Sequence, residues 1–441
     1  MTATAHSQHD QPTASLAATV EPVLSRLFAQ PPNVSLEFWD GSVVDRPTAG
    51  TLRFLNPRSL RHVVWSPDQL GLARAYVSGD LDLRGDVEVE EILRRLEKSP
   101  RVRGRAAVRT APDVLGVLRR AGAFGARPPI PREEVVQRGM RHSMRRDRRS
   151  ISHHYDVGNG FYELLLGSAM TYSCARFVRP DQSLADAQAS KHELICQKLG
   201  LAETQPGART RERRRLLDIG CGWGSMAIHA ATNHDVDVVG VTISEEQAAY
   251  ARKRVADAGL ADRVEIRVQD YRHVNDGPFD AISSIGMAEH VGKRSMPLYF
   301  ERLHALLRPG GRVLNHAISS VGGSRLARRS FVNRYVFPDG ELLDVGDTVR
   351  IMEQAGFEVR DVENLREHYA QTLRHWVVNL QQHWAEAVDS VGEARCRVWL
   401  LYMSGSINGF DDASLQIHQT LGVRAHADGR SEMPRTRAGW T

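Results

Sequence analysis

The sequence predicts an α/β protein in which a doubly wound, mostly parallel sheet follows a smaller domain of mixed helices and strands. From residue 151 onward, short apolar segments alternate with amphipathic ones, which is the order of elements that builds such a sheet. The 441 residues also exceed what one hydrophobic core usually contains, so two domains are expected.

Changes in composition along the chain divide it into five segments. We predict a disordered tail (1–16), an N-terminal α+β domain (17–100), an Arg-rich linker (101–150), the sheet domain (151–425) and a flexible tail (426–441).

The N-terminal domain begins with SLEFWDGSVV at 35–44, which predicts a strand, an Asp-Gly turn and a second strand. TLRFLN (51–56) and HVVWSP (62–67) predict further short strands, because β-branched and aromatic residues dominate both. GLARAYVSGDL (71–81) and EVEEILRRLEKS (88–99) predict helices. This domain shows no catalytic pattern of its own.

The second domain contains seven apolar segments that predict the strands of its sheet. They are RRLLDIG (214–220), VDVVGVTI (236–243), VEIRVQDY (264–271), FDAISSIG (279–286), GRVLNHAIS (311–319), FEVRDVENL (357–365) and SLQIHQTLG (414–422). Helices are predicted between them, one of them capped by Ser244 and two between Glu367 and Ser406. Ligands of such sheets bind beyond the carboxyl ends of the strands.

Composition excludes several classes of protein. The four cysteines form no CxxC pair or metal-like spacing, so we expect no disulfide scaffold, no metal site and a cytoplasmic location. The polar first 15 residues do not resemble a signal peptide. Because no stretch approaches the ~20 apolar residues of a membrane span, we expect a soluble protein or one that lies on a membrane surface.

Positive charge is concentrated in the predicted linker. Residues 101–150 contain 14 arginines, no lysine and four acids, a balance of +10 against +5 for the whole chain. Arginine clusters suit phosphates of nucleic acids or of anionic lipid head groups, although a solvated linker would have a similar composition. No Phe, Tyr or Trp interleaves the terminal run RGMRHSMRRDRRS (138–150), which disfavours nucleic acid.

The stretch LLDIGCGWG (216–224) predicts a cofactor site. An apolar strand ends in Asp218, and Gly220, Gly222 and Gly224 lead into a helix. Glycines at such a turn permit positive φ and let a ligand approach the backbone. The pattern is neither the GxGxxG of dinucleotide sites nor a Walker sequence, so it indicates a different nucleotide-type ligand.

The loop resembles the first motif of Rossmann-like, class I methyltransferases that use S-adenosylmethionine. Four further segments resemble the cyclopropane fatty acid synthase and mycolic acid cyclopropane synthase family. They are HHYDVGNGFYELLLG (153–167), MTYSCARF (170–177), GVTISEEQ (240–247) and SSIGMAEHVG (283–292). The N-terminal domain suits the longer members, which act on phospholipid.

The resemblance implies how the cofactor is bound. Tyr172 and Ser173 cover its methionine end, and the ribose and adenine contact residues on the strand ends that follow. The resemblance places Asp218, Gly220 and Gly222 at the methionyl amine and the adenosine, Thr242, Ile243 and Gln247 at the ribose and adenine, and Asp270, Tyr271 and Arg272 beside the adenine. Tyr271 replaces the tryptophan of short relatives, and Ser406 replaces a cysteine of many relatives.

The implied reaction is methyl transfer to the double bond of an unsaturated acyl chain. The resulting carbocation requires a dry site with aromatic faces. The family supplies bound bicarbonate as the base, which implies that Glu289, His316, Tyr369 and the backbone around Cys174 and Ile318 hold it. Glu289 then orients the base instead of acting as one.

Several outcomes remain open at this stage. Proton loss gives a cyclopropane, which we favour, whereas a hydride shift gives a methylene or, with a partner reductase, a methyl branch. The expected partners are unsaturated phospholipid or fatty acyl chains, the anionic inner face of the membrane and a second copy in a homodimer, with no nucleic acid. The alternatives of other classes are a nucleic-acid-binding protein and an O- or N-directed methyltransferase with Glu289 or His316 as a direct base.

Overall fold

The computed structural model describes residues 15–27, 31–46, 50–85, 88–97, 104–135, 158–202, 213–322, 330–338 and 340–439. The chain divides into two compact units, Met1–Arg132 and Glu133–Thr441. Within the described ranges, no helix is both long and apolar enough to cross a bilayer.

The first unit contains a four-stranded mixed sheet in the order β2-β1-β3-β4. Its strands are β1 (Ser35–Glu37), β2 (Val43–Val44), β3 (Gly50–Phe54) and β4 (Leu81–Gly85). Its helices are α1 (Leu16–Leu27), α2 (Pro57–Trp65), α3 (Gln69–Val77), α4 (Val89–Glu97) and α5 (Gly104–Arg120). The antiparallel pairing of β1 with β2 confirms the predicted hairpin.

One predicted strand of this unit is wrong. Residues 62–65 belong to the helix α2, which starts where Asn56 Oδ1 accepts a hydrogen bond from the Arg58 N–H and Pro57 occupies the first turn. Both are strong signals for a helix start. Ser59 and His62, three residues apart, are buried on one face of the helix. The helix-start signals at Asn56 and Pro57 therefore outweigh the strand preference of the β-branched residues.

The boundary of the first unit also differs from the prediction. Part of the predicted linker forms α5, which packs against α1, and the unit extends to Arg132. The buried Val117 and Leu118 give α5 an apolar face, which the high arginine content conceals. The arginine-rich residues from 136 to 150 lie outside the described residues.

The second unit contains the predicted seven-stranded sheet, in the order β10-β11-β9-β8-β5-β6-β7. The strands are β5 (Arg214–Ile219), β6 (Val236–Thr242), β7 (Val264–Val268), β8 (Phe279–Ile285), β9 (Leu307–Ser320), β10 (Glu358–Asn364) and β11 (Leu415–Val423). Only β11 runs antiparallel to its neighbours in this sheet. The predicted fold class is confirmed.

Helices cover the sheet and bury its apolar side chains. Those before β8 are α6 (Asn159–Leu166), α7 (Leu184–Lys198), α8 (Ser225–Asn233) and α9 (Glu245–Asp257). Those after β8 are α10 (Ala288–Val291), α11 (Met296–Leu306), α12 (Phe331–Tyr335), α13 (Val345–Gln354), α14 (Arg366–Gln382), α15 (Trp384–Val391) and α16 (Glu393–Asp411). Two large clusters of buried apolar residues lie against the sheet.

The predicted flexible tail makes specific contacts instead. Glu432 accepts hydrogen bonds from Arg308 and, through its carbonyl, from Arg312, each at 3.0 Å. Met433 packs against the apolar core, and Arg437 lies 3.0 Å from the buried Asp361. Residues 426–439 therefore belong to the second unit, because ion pairs that pattern analysis does not detect hold them there.

Candidate active site

The glycine-rich loop lies between β5 and α8. Gly220, Gly222 and Gly224 have φ values of +72°, +55° and +81°, which side chains other than glycine rarely adopt. The N–H groups of Gly220 and Cys221 both donate to the carbonyl of Val241, at 2.9 and 3.0 Å. This anchor fixes the turn at the carboxyl end of β6.

All eleven residues predicted to bind the cofactor line one cavity of about 150 Å³ at this end of the sheet. They come from four separate parts of the chain, 172–173, 218–222, 242–247 and 270–272. They are Tyr172, Ser173, Asp218, Gly220, Gly222, Thr242, Ile243, Gln247, Asp270, Tyr271 and Arg272. The parallel strands bring them together because their carboxyl ends share one edge of the sheet.

Asp218 is the most deeply buried charged group of this set, with 2% exposure. One carboxylate oxygen accepts a hydrogen bond of 2.7 Å from Ser283, and the other is enclosed and has no partner in the structure. Burial raises the pKa of Asp218 to about 6. The free oxygen fits an ammonium group, such as the methionyl amine of S-adenosylmethionine.

Thr242 and Gln247 are held in place before any ligand binds. The Thr242 hydroxyl donates to Gln247 Oε1 at 3.1 Å, and Ser244 accepts from the Gln247 N–H as the N-cap of α9. The predicted cap is confirmed. The Thr242 contact occupies the amide oxygen of Gln247 and leaves its amide N–H groups for a ligand.

Both carboxylate oxygens of Asp270 are already occupied by hydrogen bonds within the protein. Arg272 binds both of its carboxylate oxygens, at 2.9 and 2.6 Å, and also donates its backbone N–H. Tyr271 packs edge-on against Tyr299, with ring centroids 5.0 Å apart. The pair Asp270–Arg272 therefore fixes the short turn that places Tyr271 at the cavity.

Lys191 also lines this cavity, although no sequence motif singled it out. It is fully buried, and its Nζ lies 3.0 Å from both Ser173 Oγ and His192 Nε2. Burial lowers the pKa of Lys191 to about 7. A lysine followed by histidine in a helix of low amphipathicity gives no local signal, because only the packing of α7 makes them internal.

Two of the residues predicted to hold the base are in direct contact. Glu289 lies in α10, just beyond β8, and its Oε1 accepts a hydrogen bond of 2.7 Å from the Ile318 N–H on β9. Its Oε2 is enclosed and has no partner in the structure. Burial raises the pKa of Glu289 to about 7.

His316 lies two residues before Ile318 on β9 and pairs with Ile285 of β8. Its side chain is buried, and neither ring nitrogen has a hydrogen-bond partner in the structure. Burial, together with nearby Lys191 and Lys198, lowers the pKa of His316 well below its usual value. The ring is therefore neutral and offers one donor and one acceptor.

Cys174 and Tyr369 meet at the carbonyl of Leu365. The Cys174 thiol lies 3.6 Å from this oxygen, and the Tyr369 N–H donates to it at 3.1 Å. Burial raises the pKa of the Cys174 thiol far above its usual value, so the group is a buried thiol and no nucleophile. This agrees with a role for its backbone alone.

Aromatic rings surround Tyr172, which lines the cavity. Tyr172 stacks on Trp376 of α14, with centroids 5.2 Å apart, and meets Trp399 of α16 edge-on at 5.7 Å. Tyr369 packs edge-on against Trp376 at 6.1 Å. Trp376 therefore contacts one predicted cofactor residue, Tyr172, and one predicted base holder, Tyr369.

Tyr402 joins these aromatic residues, and the sequence did not indicate it. Burial raises the pKa of Tyr402 to about 12, and hydrogen bonds with Tyr172 and Ser406 act in the opposite direction. The negative charge of Glu289 acts on the same hydroxyl. Ser406 therefore belongs to the site as a hydrogen-bond partner of Tyr402.

The buried polar atoms test whether the expected ligands fit. Among the described residues, atoms with no partner include Asp218 Oδ2, Glu289 Oε2 and both nitrogens of His316. A cationic amine suits the first, and a small oxyanion that carries a proton suits the others. The residues fit S-adenosylmethionine and bicarbonate.

The cofactor cavity is lined by Met287, His290 and Val291, the residues on either side of Glu289 in the chain. The five residues predicted to hold the base do not line it.

Comparisons with known proteins identify the family of this chain. The family model described as mycolic acid cyclopropane synthetase matches residues 142–420. A probable fatty acid methyltransferase of Mycobacterium tuberculosis is 42% identical over 90% of this chain and 92% of its own. The cyclopropane-fatty-acyl-phospholipid synthase of Escherichia coli K12 is 38% identical over 63% of this chain and 68% of its own.

This chain is also similar to a solved structure of the same family. The mycolic acid cyclopropane synthase CmaA1 complexed with SAH and CTAB has a TM-score of 0.57 and is 31% identical, covering 62% of this chain and 98% of that chain. The sheet, glycine loop and cavity define a class I methyltransferase that depends on S-adenosylmethionine. The chain belongs to the mycolic acid cyclopropane synthetase family.

Proposed function

We propose that this enzyme transfers a methyl group from S-adenosylmethionine to the double bond of an unsaturated fatty acyl chain in phospholipid, and that the product is a cyclopropane. The observation that carries the proposal is the contact of Glu289 with the Ile318 N–H, together with the enclosed, unpartnered Glu289 Oε2 and His316 ring nitrogens. The names of the relatives support the acyl substrate.

Each protein group has a task in this reaction. When bound, S-adenosylmethionine supplies an electrophilic methyl, and bicarbonate accepts the proton that is lost afterwards. Glu289 would accept a hydrogen bond from the OH of bound bicarbonate, and His316 and Tyr369 would donate to its oxygens. The rings of Tyr172 and Trp376 exclude water and present negative π faces to positive charge.

Two acyl products can follow from the transfer of the methyl group to the double bond. Loss of a proton from the bridging methyl closes a cyclopropane, whereas a hydride shift before proton loss gives a methylene chain. The second outcome has its own support, because two of the relatives are named fatty acid methyltransferases. It remains the alternative product of the same site.

The acyl chains reach the enzyme at a lipid surface, and the first unit offers a place for that contact. The Trp65 and Phe124 side chains are 54% and 65% exposed. Trp65 Nε1 donates to the Gly125 carbonyl at 3.4 Å, and the Arg119 guanidinium lies 5.9 Å from the Phe124 ring. Exposed aromatic rings beside arginine suit anionic lipid.

Product analysis tests the reaction. The protein is incubated with S-adenosylmethionine and vesicles of oleoyl phospholipid, and the acyl chains are identified by mass spectrometry and gas chromatography. We expect a chain one methylene heavier with the retention of a cyclopropane, and activity that falls when bicarbonate is removed and returns when it is restored. An unmodified oleoyl chain, or turnover indifferent to bicarbonate, would contradict the proposal.

Vesicle sedimentation tests the lipid surface separately. We expect the Trp65→Ala/Phe124→Ala variant to bind anionic vesicles at least about tenfold more weakly, since each buried aromatic side chain contributes roughly 1.5–3 kcal/mol. Leu298→Ala is the matched control, because Leu298 of the second unit is 64% exposed. Equal binding of anionic and neutral vesicles would remove the role of the arginines.

A further inference from the structure

Four side chains that are typical metal ligands meet outside the lining of the cofactor cavity. They are Glu193 and Cys196 of α7, His229 of α8 and His234 just after α8. Each offers one ligand atom, and these four atoms all lie within 4.8 Å of one another. In sequence the four residues span 42 positions, so their spacing resembles no linear zinc motif.

Local structure explains why these residues converge. Glu193 and Cys196 are three residues apart and therefore share one face of α7, and α7 packs against α8. The chain turns to an extended conformation at His234, whose N–H still donates to the Ala230 carbonyl at 2.9 Å. This turn brings His234 back to the side chain that His229 also faces.

The distances are close to those of a tetrahedral site. Glu193 Oε2 lies 3.2 Å from His229 Nε2 and 3.0 Å from His234 Nε2. Zinc bonds of about 2.0–2.2 Å to nitrogen and oxygen and about 2.3 Å to sulfur place tetrahedral ligands roughly 3.3–3.6 Å apart. The widest separation in the set is at most 4.8 Å, so it must shorten by no more than roughly 1.2–1.5 Å to reach that geometry.

The ligand types and their burial favour one class of ion. A thiolate, two imidazoles and a carboxylate suit Zn²⁺, whereas Mg²⁺ and Ca²⁺ prefer oxygen ligands. Cys196 is fully buried, but the side chains of Glu193 and His229 are 35% and 15% exposed. An ion can therefore enter from solvent and meet the thiol on the inner side.

We propose that Glu193, Cys196, His229 and His234 bind one Zn²⁺ ion that links α7 to α8. Both helices support the cofactor cavity, since α8 starts at the glycine loop and α7 carries Lys191. The ion has a structural role and no part in methyl transfer. The proposal is independent of the acyl substrate, so either can fail without the other.

Metal titration of the full-length protein tests this site. The protein is stripped with a chelator and titrated with Zn²⁺ in competition with a chromophoric chelator. We expect one tight equivalent, and at least roughly 100-fold weaker binding in His229→Gln and His234→Gln, because even outer-shell partners of a metal account for roughly 10- to 100-fold. The matched control is His426→Gln. His426 also pairs with a carboxylate, Glu432 at 2.6 Å, but it is not part of the four-residue cluster.

Cobalt substitution tests the sulfur ligand. Co²⁺ bound by a thiolate gives a charge-transfer band in the near ultraviolet, which we expect in the wild-type protein and not in Cys196→Ser. If Cys196→Ser does not fold, Glu193→Gln serves as a second variant, because the Glu193 side chain is partly exposed. Circular dichroism checks that each variant is folded. Absence of stoichiometric binding, affinity that His229→Gln leaves unchanged, or a cobalt complex without the band would overturn the proposal.

Discussion

The cofactor half and the base half of the active site differ in how their polar groups are supported. In the cofactor half, Gln247 and Asp270 bind partners within five residues in sequence, Thr242 and Arg272. In the base half, Glu289 contacts a strand 29 residues away, and neither nitrogen of the His316 ring has a partner in the structure. Short-range hydrogen bonds pre-form the part of the cofactor half that contains Gln247 and Asp270, although Asp218 is held by Ser283, 65 residues away. The base half depends on tertiary packing and on its ligand.

The largest expected effect separates the two halves by mutation. Glu289→Gln keeps the size of the side chain but removes its charge, so turnover should fall by about 10²–10³, as for other groups that orient a reacting species. Affinity for S-adenosylmethionine should stay within about twofold, measured by calorimetry.

Glu341→Gln is the control for that variant, because its exposed carboxylate accepts a hydrogen bond from the Lys293 N–H and lies near the same loop. Full turnover in Glu289→Gln would remove Glu289 from the base half. A parallel loss of cofactor affinity would show that the halves are not separate.

The reverse result is expected for Asp218→Asn. The amide still accepts the hydrogen bond from Ser283 but no longer attracts an ammonium group, so cofactor affinity should fall by about 10- to 100-fold. Calorimetry measures the affinity, and turnover at saturating cofactor should change much less. Asp237→Asn, at an exposed pair with Arg213, should leave both unchanged, and unchanged affinity in Asp218→Asn would contradict the assignment.

The pH dependence should differ in the same way. Burial raises the pKa of Asp218 to about 6 and that of Glu289 to about 7, and both groups act as carboxylates. Cofactor affinity should therefore weaken below about pH 6, because protonated Asp218 cannot attract the amine. At constant free bicarbonate, turnover should rise through about pH 7 in the wild type and be flat in Glu289→Gln.

Matching profiles would show that one group governs both halves. Cofactor affinity is measured by calorimetry, and turnover is measured at saturating cofactor. Both are measured over roughly pH 5–8, a range that includes the raised pKa values of Asp218 and Glu289.

The smallest effect is expected at Ser406. Its hydroxyl is a hydrogen-bond partner of Tyr402, so Ser406→Ala should lower turnover by less than about tenfold, the cost of one neutral hydrogen bond. Steady-state rates measure it, and Ser406→Cys should recover most of the activity. A loss as large as that of Glu289→Gln would assign Ser406 to the base half.

The sequence predicted the local structure around the glycine loop better than that of the N-terminal unit. The glycine loop, Asp218 and the Ser244 cap are local patterns, and the structure places them as predicted. The strand predicted at 62–67 failed because the cap at Asn56 outweighed the β-branched residues. The apolar face of α5 was missed because arginine dominates its composition.

The sequence by itself determined the order of strands and helices in the second unit, the glycine turn and the family, because each depends on residues close together in the chain. Only the tertiary structure decided which buried groups meet. Lys191 became part of the cofactor cavity and Cys196 joined two histidines through the packing of α7. Their surroundings come from distant segments, so no local pattern records them.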